Sequence, residues 1–238
     1  MKRGDLDTSM SDYLVDHLQR RIFSGEIPVG SWLRHAALAE EFDVSRTPVR
    51  EALHVLNARG IVTIVPNRGA RVNGLSGQDI RELGAVRAEL EGFAAELAAA
   101  HITDRQLERL REGWQKYEQK ASTGAGSAAS RDRAHRLWAD ANQAFHGLVL
   151  EASGNRFLGD SIADISRRLP RNSAFAAYAG STRLLKQNSE EHHAIVEALA
   201  SGDAAAARAA MTRHLRSATE TMARWSEARQ REHLSQTN

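Results

Sequence analysis

The feature that most constrains this chain is a change of hydrophobic period at Gly60. From Ser45 the apolar positions Val49, Ala52, Leu53 and Leu56 recur at helical spacing. Ser45 is a suitable N-cap, Pro48 falls in the first turn where its missing N–H costs little, and Gly60 stops the helix. The run Ile61-Val62-Thr63-Ile64-Val65 that follows is β-branched throughout and reads as a strand. Pro66-Asn67-Arg68-Gly69 is a turn, and Ala70-Arg71-Val72 returns as a second strand. Upstream, Leu14, Leu18 and Ile22 stripe a helix over 11–23, Gly25, Pro28 and Gly30 break it, and a short helix fits 34–42. Three helices and then a hairpin is the order of a winged helix-turn-helix.

The charges of this stretch suit such a fold. Between Ser45 and Arg71 the charged residues are Arg46, Arg50, Glu51, Arg59, Arg68 and Arg71, although the whole chain carries a net charge of only +2. On a helical wheel Arg46, Thr47, Arg50, Glu51 and His54 lie opposite the apolar stripe. A helix in the major groove reads mainly with its N-terminal residues, which places Arg46, Thr47 and Arg50 against bases and phosphates. The turn carries Arg68 to a wing tip. A solvated basic face is the bland reading of any single arginine; the ordered set favours a nucleic-acid surface.

Beyond a linker at 75–77 no segment reads as a strand. Helices fit about 78–101, 103–121, 133–152, 155–168, 181–201 and 203–228, with a small-residue loop at Thr123–Ser127 and breaks at Pro170 and Gly202-Asp203. The expected organisation is a flexible arm at 1–10, a winged helix-turn-helix at 11–74, a six- or seven-helix bundle at 78–228 and a tail at 229–238: a mainly α chain. No apolar run is long enough to span a bilayer and no secretory signal is evident, so a cytoplasmic protein is expected. The absence of cysteine excludes disulfides and thiolate metal sites.

Within the bundle, Asn142 and His146 share a face at i, i+4 on a stripe continued by Trp138 and Val149. His192 aligns with Ile195 and Leu199, whereas His193 aligns with Glu197; His214 lies near the apolar stripe of the last helix. Three imidazoles and an amide oxygen could hold a divalent ion such as Zn or Ni. Taken singly, each histidine is more readily a satisfied core or surface residue. Arg87 has an equally plain reading as an i, i+4 ion pair with Glu91.

The stretches Ile22–Leu33, Leu38-Ala39-Glu40, Val44–Leu53 and Pro66–Val72 resemble the DNA-binding domain of the GntR family of bacterial regulators. The resemblance implies operator contacts by Arg46, Thr47, Arg50 and Gly69, and less surely by Arg34. Asp43 departs from the pattern, which often has glycine there. Val86–Gly92, Asn142–His146 leading to Ala152–Asn155, Glu191–Ile195 and Gly202–Leu215 resemble the FCD ligand-binding domain of the FadR-like subgroup. Many such domains bind a metal through an aspartate and three histidines; here Asn142 stands where the aspartate would, beside His146, His192 and His214. The resemblance further implies a homodimer and an Arg87 facing a ligand cavity. It also implies a small organic or sugar acid as effector, and repression relieved when that acid repositions the two wings on a palindromic operator. Two other readings are weighed. A metal-dependent hydrolase would need a general base beside the histidines, and Glu191, next to His192 on a helix, is expected to point elsewhere. A sequence-neutral architectural DNA binder leaves the second domain without a purpose.

Overall fold

The structure, a computed structural model, describes residues 9–23, 25–73, 75–122, 128–169, 175, 177–178 and 181–236. The segments read as irregular at 1–8, Gly74, Thr123–Ser127, Pro170 and 237–238 lie outside them. The chain divides into two compact units, with the chain passing from the first to the second between Ser76 and Gly77.

The first unit contains α1 (Met10–Phe23), β1 (Trp32–Leu33), α2 (His35–Glu41), α3 (Arg46–Ala58), β2 (Val62–Val65) and β3 (Gly69–Val72). Its core joins the stripe of α1 (Leu14, Leu18, Ile22) to that of α3 (Val49, Ala52, Leu53, Leu56) and to Ile61, Val62, Ala70 and Val72 of the sheet. The sheet has three antiparallel strands in the order β1-β3-β2. Strand β1 was not legible in the sequence, because two residues are too few to display a period. Its register, Trp32 opposite Arg71 and Leu33 opposite Ala70, buries Leu33 and exposes Trp32. Gly69 sits where β1 and β3 meet, at φ +104°, and a Cβ there would lie 2.4 Å from the Leu33 carbonyl oxygen. Only glycine fits that approach.

The second unit is helical among its described residues: α4 (Gly77–Ala99), α5 (Asp104–Ser122), α6 (Ala128–Ala152), α7 (Arg156–Arg168), α8 (Thr182–Ala200) and α9 (Ala204–Gln236). Helix α9 runs past residue 228, where the sequence reading placed its end, because Arg229–Gln236 contains no breaker. Helix α6 begins at Ala128, ahead of the expected 133. The main core gathers Ala88, Ala95 and Ala98 of α4, Leu107 and Leu110 of α5, Phe145 and Val149 of α6, Ile195 and Leu199 of α8, and Met211 and Leu215 of α9. The apolar stripe of α4 is built almost wholly from alanine and glycine, which brings α9 close. Cβ atoms added at Gly84 and Gly92 would come within 2.2 Å of Thr219 and 2.3 Å of Thr212. A second cluster is aromatic: Trp114, Tyr117, Trp138, Phe175 and Tyr178. No described helix is long and apolar enough to cross a membrane.

Candidate DNA-reading face and histidine centre

Helix α3 presents Arg46, Thr47 and Arg50 to solvent while Val49, Ala52, Leu53 and Leu56 are buried. Ser45 occupies the N-cap, but its hydroxyl makes no capping bond. Asp43 adopts φ +51° in the preceding turn, the left-handed conformation that glycine takes without strain. The turn from β2 to β3 is closed by Arg68 N–H donating to the Val65 carbonyl at 3.1 Å, with Asn67 at φ +60° and Arg68 exposed at the tip. Arg34, exposed, is the N-cap of α2. Between α3 and the wing lies a cleft of about 810 Å³ that brings Arg34, Arg50, Arg68 and Gly69 together with Trp32, His35 and His54. Arg46 and Thr47 are not among its lining residues and stand at the start of α3. The other two arginines of the basic stretch are engaged within the unit: Arg59 donates to Gln19 at 2.7 Å and Arg71 to the Gly30 carbonyl at 3.4 Å. Sequence reasoning did not single out Trp32 or His35; Trp32 is exposed on one face of β1 while its neighbour Leu33 is buried on the other.

In the second unit α6, α8 and α9 bring His146, His192 and His214 together, so that one nitrogen from each ring lies within 4.8 Å of the others. His192 is fully buried and His214 almost so. Each ring is held from behind through Nδ1. His192 Nδ1–H donates to the Asn188 carbonyl at 2.7 Å, His214 Nδ1–H to the Glu191 carboxylate at 3.0 Å, and His146 Nδ1–H to Glu91 Oε2 at 2.5 Å. Those acceptors fix the tautomer and leave Nε2 as the lone-pair nitrogen. Nε2 of His146 and of His192 is buried without a partner among the described residues. Trp114 stacks on His192 with ring centroids 3.5 Å apart and fixes its plane.

The electrostatics favour neutral rings at His192 and His214. Burial, helped by the His214 and His146 rings, pushes His192 well below the usual histidine range. Burial also lowers His214, against the opposing pull of Glu191. Burial would raise the Glu91 carboxyl, but His146 and Arg87 outweigh it and hold the group far below the usual carboxylate range. Neutral imidazoles backed by carboxylates are the ligand form that a divalent ion requires.

The remaining sequence-derived candidates divide. Asn142 lies one turn before His146 on α6, half-buried. Arg87 makes the ion pair with Glu91 at 2.6 Å, and because Glu91 also holds His146, the pair is tied to the histidine centre. His193 turns outward to Glu118 at 3.1 Å. Glu191 is the correction: the sequence reading sent it away from the cluster, yet it reaches across to α9 and holds His214. It sits behind that ring, at Nδ1, and is therefore an anchor, not a base on the Nε2 side. Glu91, buried on α4, was missed as a site residue because its spacing from Arg87 also describes an ordinary surface ion pair.

Residues 11–72 match the sequence model of the bacterial regulatory proteins of the gntR family, and residues 82–217 match the FCD domain. The chain belongs to the GntR family. Its FCD domain places it with the FadR-like regulators, a family of transcription regulators and not of enzymes. This GntR regulator is 30% identical over 208 residues to a probable D-xylose utilization operon transcriptional repressor of Paenarthrobacter nicotinovorans, covering 87% of this chain and 86% of that one. It is 31% identical over 217 residues to the HTH-type transcriptional regulator LutR of Bacillus subtilis (strain 168), covering 82% and 92%. Among solved structures, E. coli McbR/YncC superposes with a TM-score of 0.64 at 23% identity over 87% of this chain and 93% of that one, a likeness of fold.

Proposed function

We propose that this regulator is a repressor whose grip on its operator is released by a small carboxylate bound at a metal in the FCD domain. The observation that carries the reading is the histidine centre: three imidazoles, each anchored through Nδ1, two of them with a buried Nε2 that has no partner among the described residues. A hydrophobic core has no use for such atoms, whose burial costs about 1–3 kcal/mol each when unpaired. A Zn²⁺ or Ni²⁺ ion held by His146, His192 and His214, with Asn142 as a neutral fourth ligand, satisfies them. Such an ion supplies a Lewis-acid grip on a carboxylate, and Arg87 offers a second cation to the same group. Asn142 in place of an aspartate leaves one more positive charge on the loaded centre, which favours an anionic occupant.

On the DNA side, Arg46, Thr47 and Arg50 at the start of α3 read the major groove, and Arg34, Arg68 and the Gly69 backbone hold phosphates or the minor groove. A homodimer in the cytoplasm, with two such 11–74 modules on a palindromic site and sensing domains at 78–228, completes the scheme. The test is a titration of operator fragments with the Zn²⁺-loaded protein across a panel of organic and sugar acids. Release by at least one acid, lost in His192→Ala, is expected; unchanged operator affinity across the panel overturns the reading.

A further inference from the structure

The cleft between α3 and the wing holds three side chains that the DNA-reading set does not use. Trp32 is 40% exposed, His54 is exposed and His35 is half-buried, and all three line the cleft beside Arg34, Arg50 and Arg68. Those three arginines have no side-chain ion pair or hydrogen bond among the described residues, and no described carboxylate lines the cleft. By contrast, Arg21 on α1 pairs with Glu26 at 2.6 Å and with Glu41. Like charges gathered without a counter-charge raise the local potential and draw an anion.

The placement of the cleft decides which part of a nucleic acid reaches it. Arg46, Arg50 and His54 follow one another at i, i+4, i+8 on α3 and share a face. Eight residues of helix span about 12 Å, which is the width of the major groove. With Arg46 and Arg50 against base edges, His54 therefore stands at the rim of that groove, and Arg68 on the wing faces the adjoining minor groove. A major groove is separated from the adjoining minor groove by a single sugar–phosphate strand, so that strand runs between α3 and the wing. Its phosphates accept hydrogen bonds and its deoxyriboses offer C–H faces. Imidazole and indole N–H groups suit the first, and the flat body of Trp32 suits the second.

We infer that this cleft seats one sugar–phosphate strand of the operator, and that Trp32, His35 and His54 are positioning residues that clamp the strand and so fix the register in which α3 meets the bases. This rests on the DNA-reading face proposed above. His54 from α3 and His35 from α2 each donate a ring N–H to a phosphate oxygen, and Trp32 lays its ring against the intervening sugar.

The experiment measures the affinity of the full-length protein for two duplexes: an operator recovered from genomic fragments that the protein captures, and a shuffled duplex of the same composition. His54→Ala, His35→Ala and Trp32→Ala are expected to weaken both by a similar factor, about tenfold for His54→Ala, with base preference unchanged. A second arm replaces single operator phosphates with methylphosphonates, which removes the charge without touching a base. At one or two adjacent linkages the loss seen with the parent is expected to shrink in His54→Ala, a coupling that a merely destabilised variant does not show. His54 is exposed on α3, so its variant keeps the test open if Trp32→Ala or His35→Ala fails to fold. Variants that bind both duplexes as the parent does, losses confined to the preference at one base pair, or a methylphosphonate pattern identical in parent and His54→Ala overturn this inference and leave the DNA-reading face standing. A parent that binds neither duplex overturns both.

Discussion

At Gly84 two contributions of opposite sign meet. Replacing a helical glycine with alanine ordinarily gains about 1 kcal/mol in helix propensity. Here the new methyl would stand 2.2–2.8 Å from three atoms of the Thr219 side chain, its Cβ included, so a rotamer change does not clear it. Overpacking of this kind costs about 1–3 kcal/mol. Gly84→Ala is therefore expected to lower the urea midpoint, and adding Thr219→Ala to restore part of it; a rise in the single variant would show that α4 and α9 are less tightly apposed than described. Glu91 carries a different expectation. Glu91→Gln keeps the shape but removes the anion behind His146, and losing such an outer partner weakens metal binding about 10- to 100-fold. Zn²⁺ or Ni²⁺ titration of the folded variant measures it. These two positions also mark how far the residues could be read from sequence. His146, His192 and His214 were legible because each lies on an apolar stripe, and a polar ring on a buried face stands out. Glu91 and Glu191 were not, because their histidine partners come from other helices, and one-dimensional spacing records only the contacts within a helix.

At the scale of the element, α3 separates exposed arginines from the stripe that folds it. Its buried stripe packs on α1 and the sheet, while Arg46 and Arg50 are exposed. Arg46→Ala and Arg50→Ala are thus expected to leave the thermal midpoint unchanged. If each arginine neutralises a phosphate, each substitution also reduces the slope of log affinity against log salt by about 1. A slope that stays constant while one base position loses its preference would assign that arginine to a base edge instead. Helices α1 and α3 were legible from their stripes, and the wing from its β-branched run and turn; β1 became a strand only through pairing with β3. Helix α4 holds another test. Arg81 bridges Glu220 at 2.7 Å and Glu227 at 2.6 Å on α9. Hydrogen bonds from Arg81 and then Arg224 lower the Glu220 carboxyl to about 2. A carboxylate depressed in the folded state contributes stability that is present above its ordinary value and lost as pH falls through the folded one. The difference in urea midpoint between the parent and Arg81→Ala should accordingly be present near pH ~6 and shrink between pH ~4.5 and ~2. Because the pair is partly exposed, high salt should shrink it as well.

For the whole molecule, the proposed loading of the histidine centre predicts a link to stability. An ion that binds only the folded chain adds about 2.7 kcal/mol at a hundredfold excess over its dissociation constant. Chelation is expected to lower the melting temperature of the parent but not of His192→Ala, as scanning calorimetry with and without chelator would show. The histidine centre draws together parts of the chain that are distant in sequence: rings from α6, α8 and α9, a carboxylate from α4 behind one ring, and a carboxylate from α8 behind another. Anyone transplanting this centre into another helical scaffold would therefore have to carry five side chains and a main-chain carbonyl, since the three rings alone would spin freely and offer the wrong nitrogen as often as the right one.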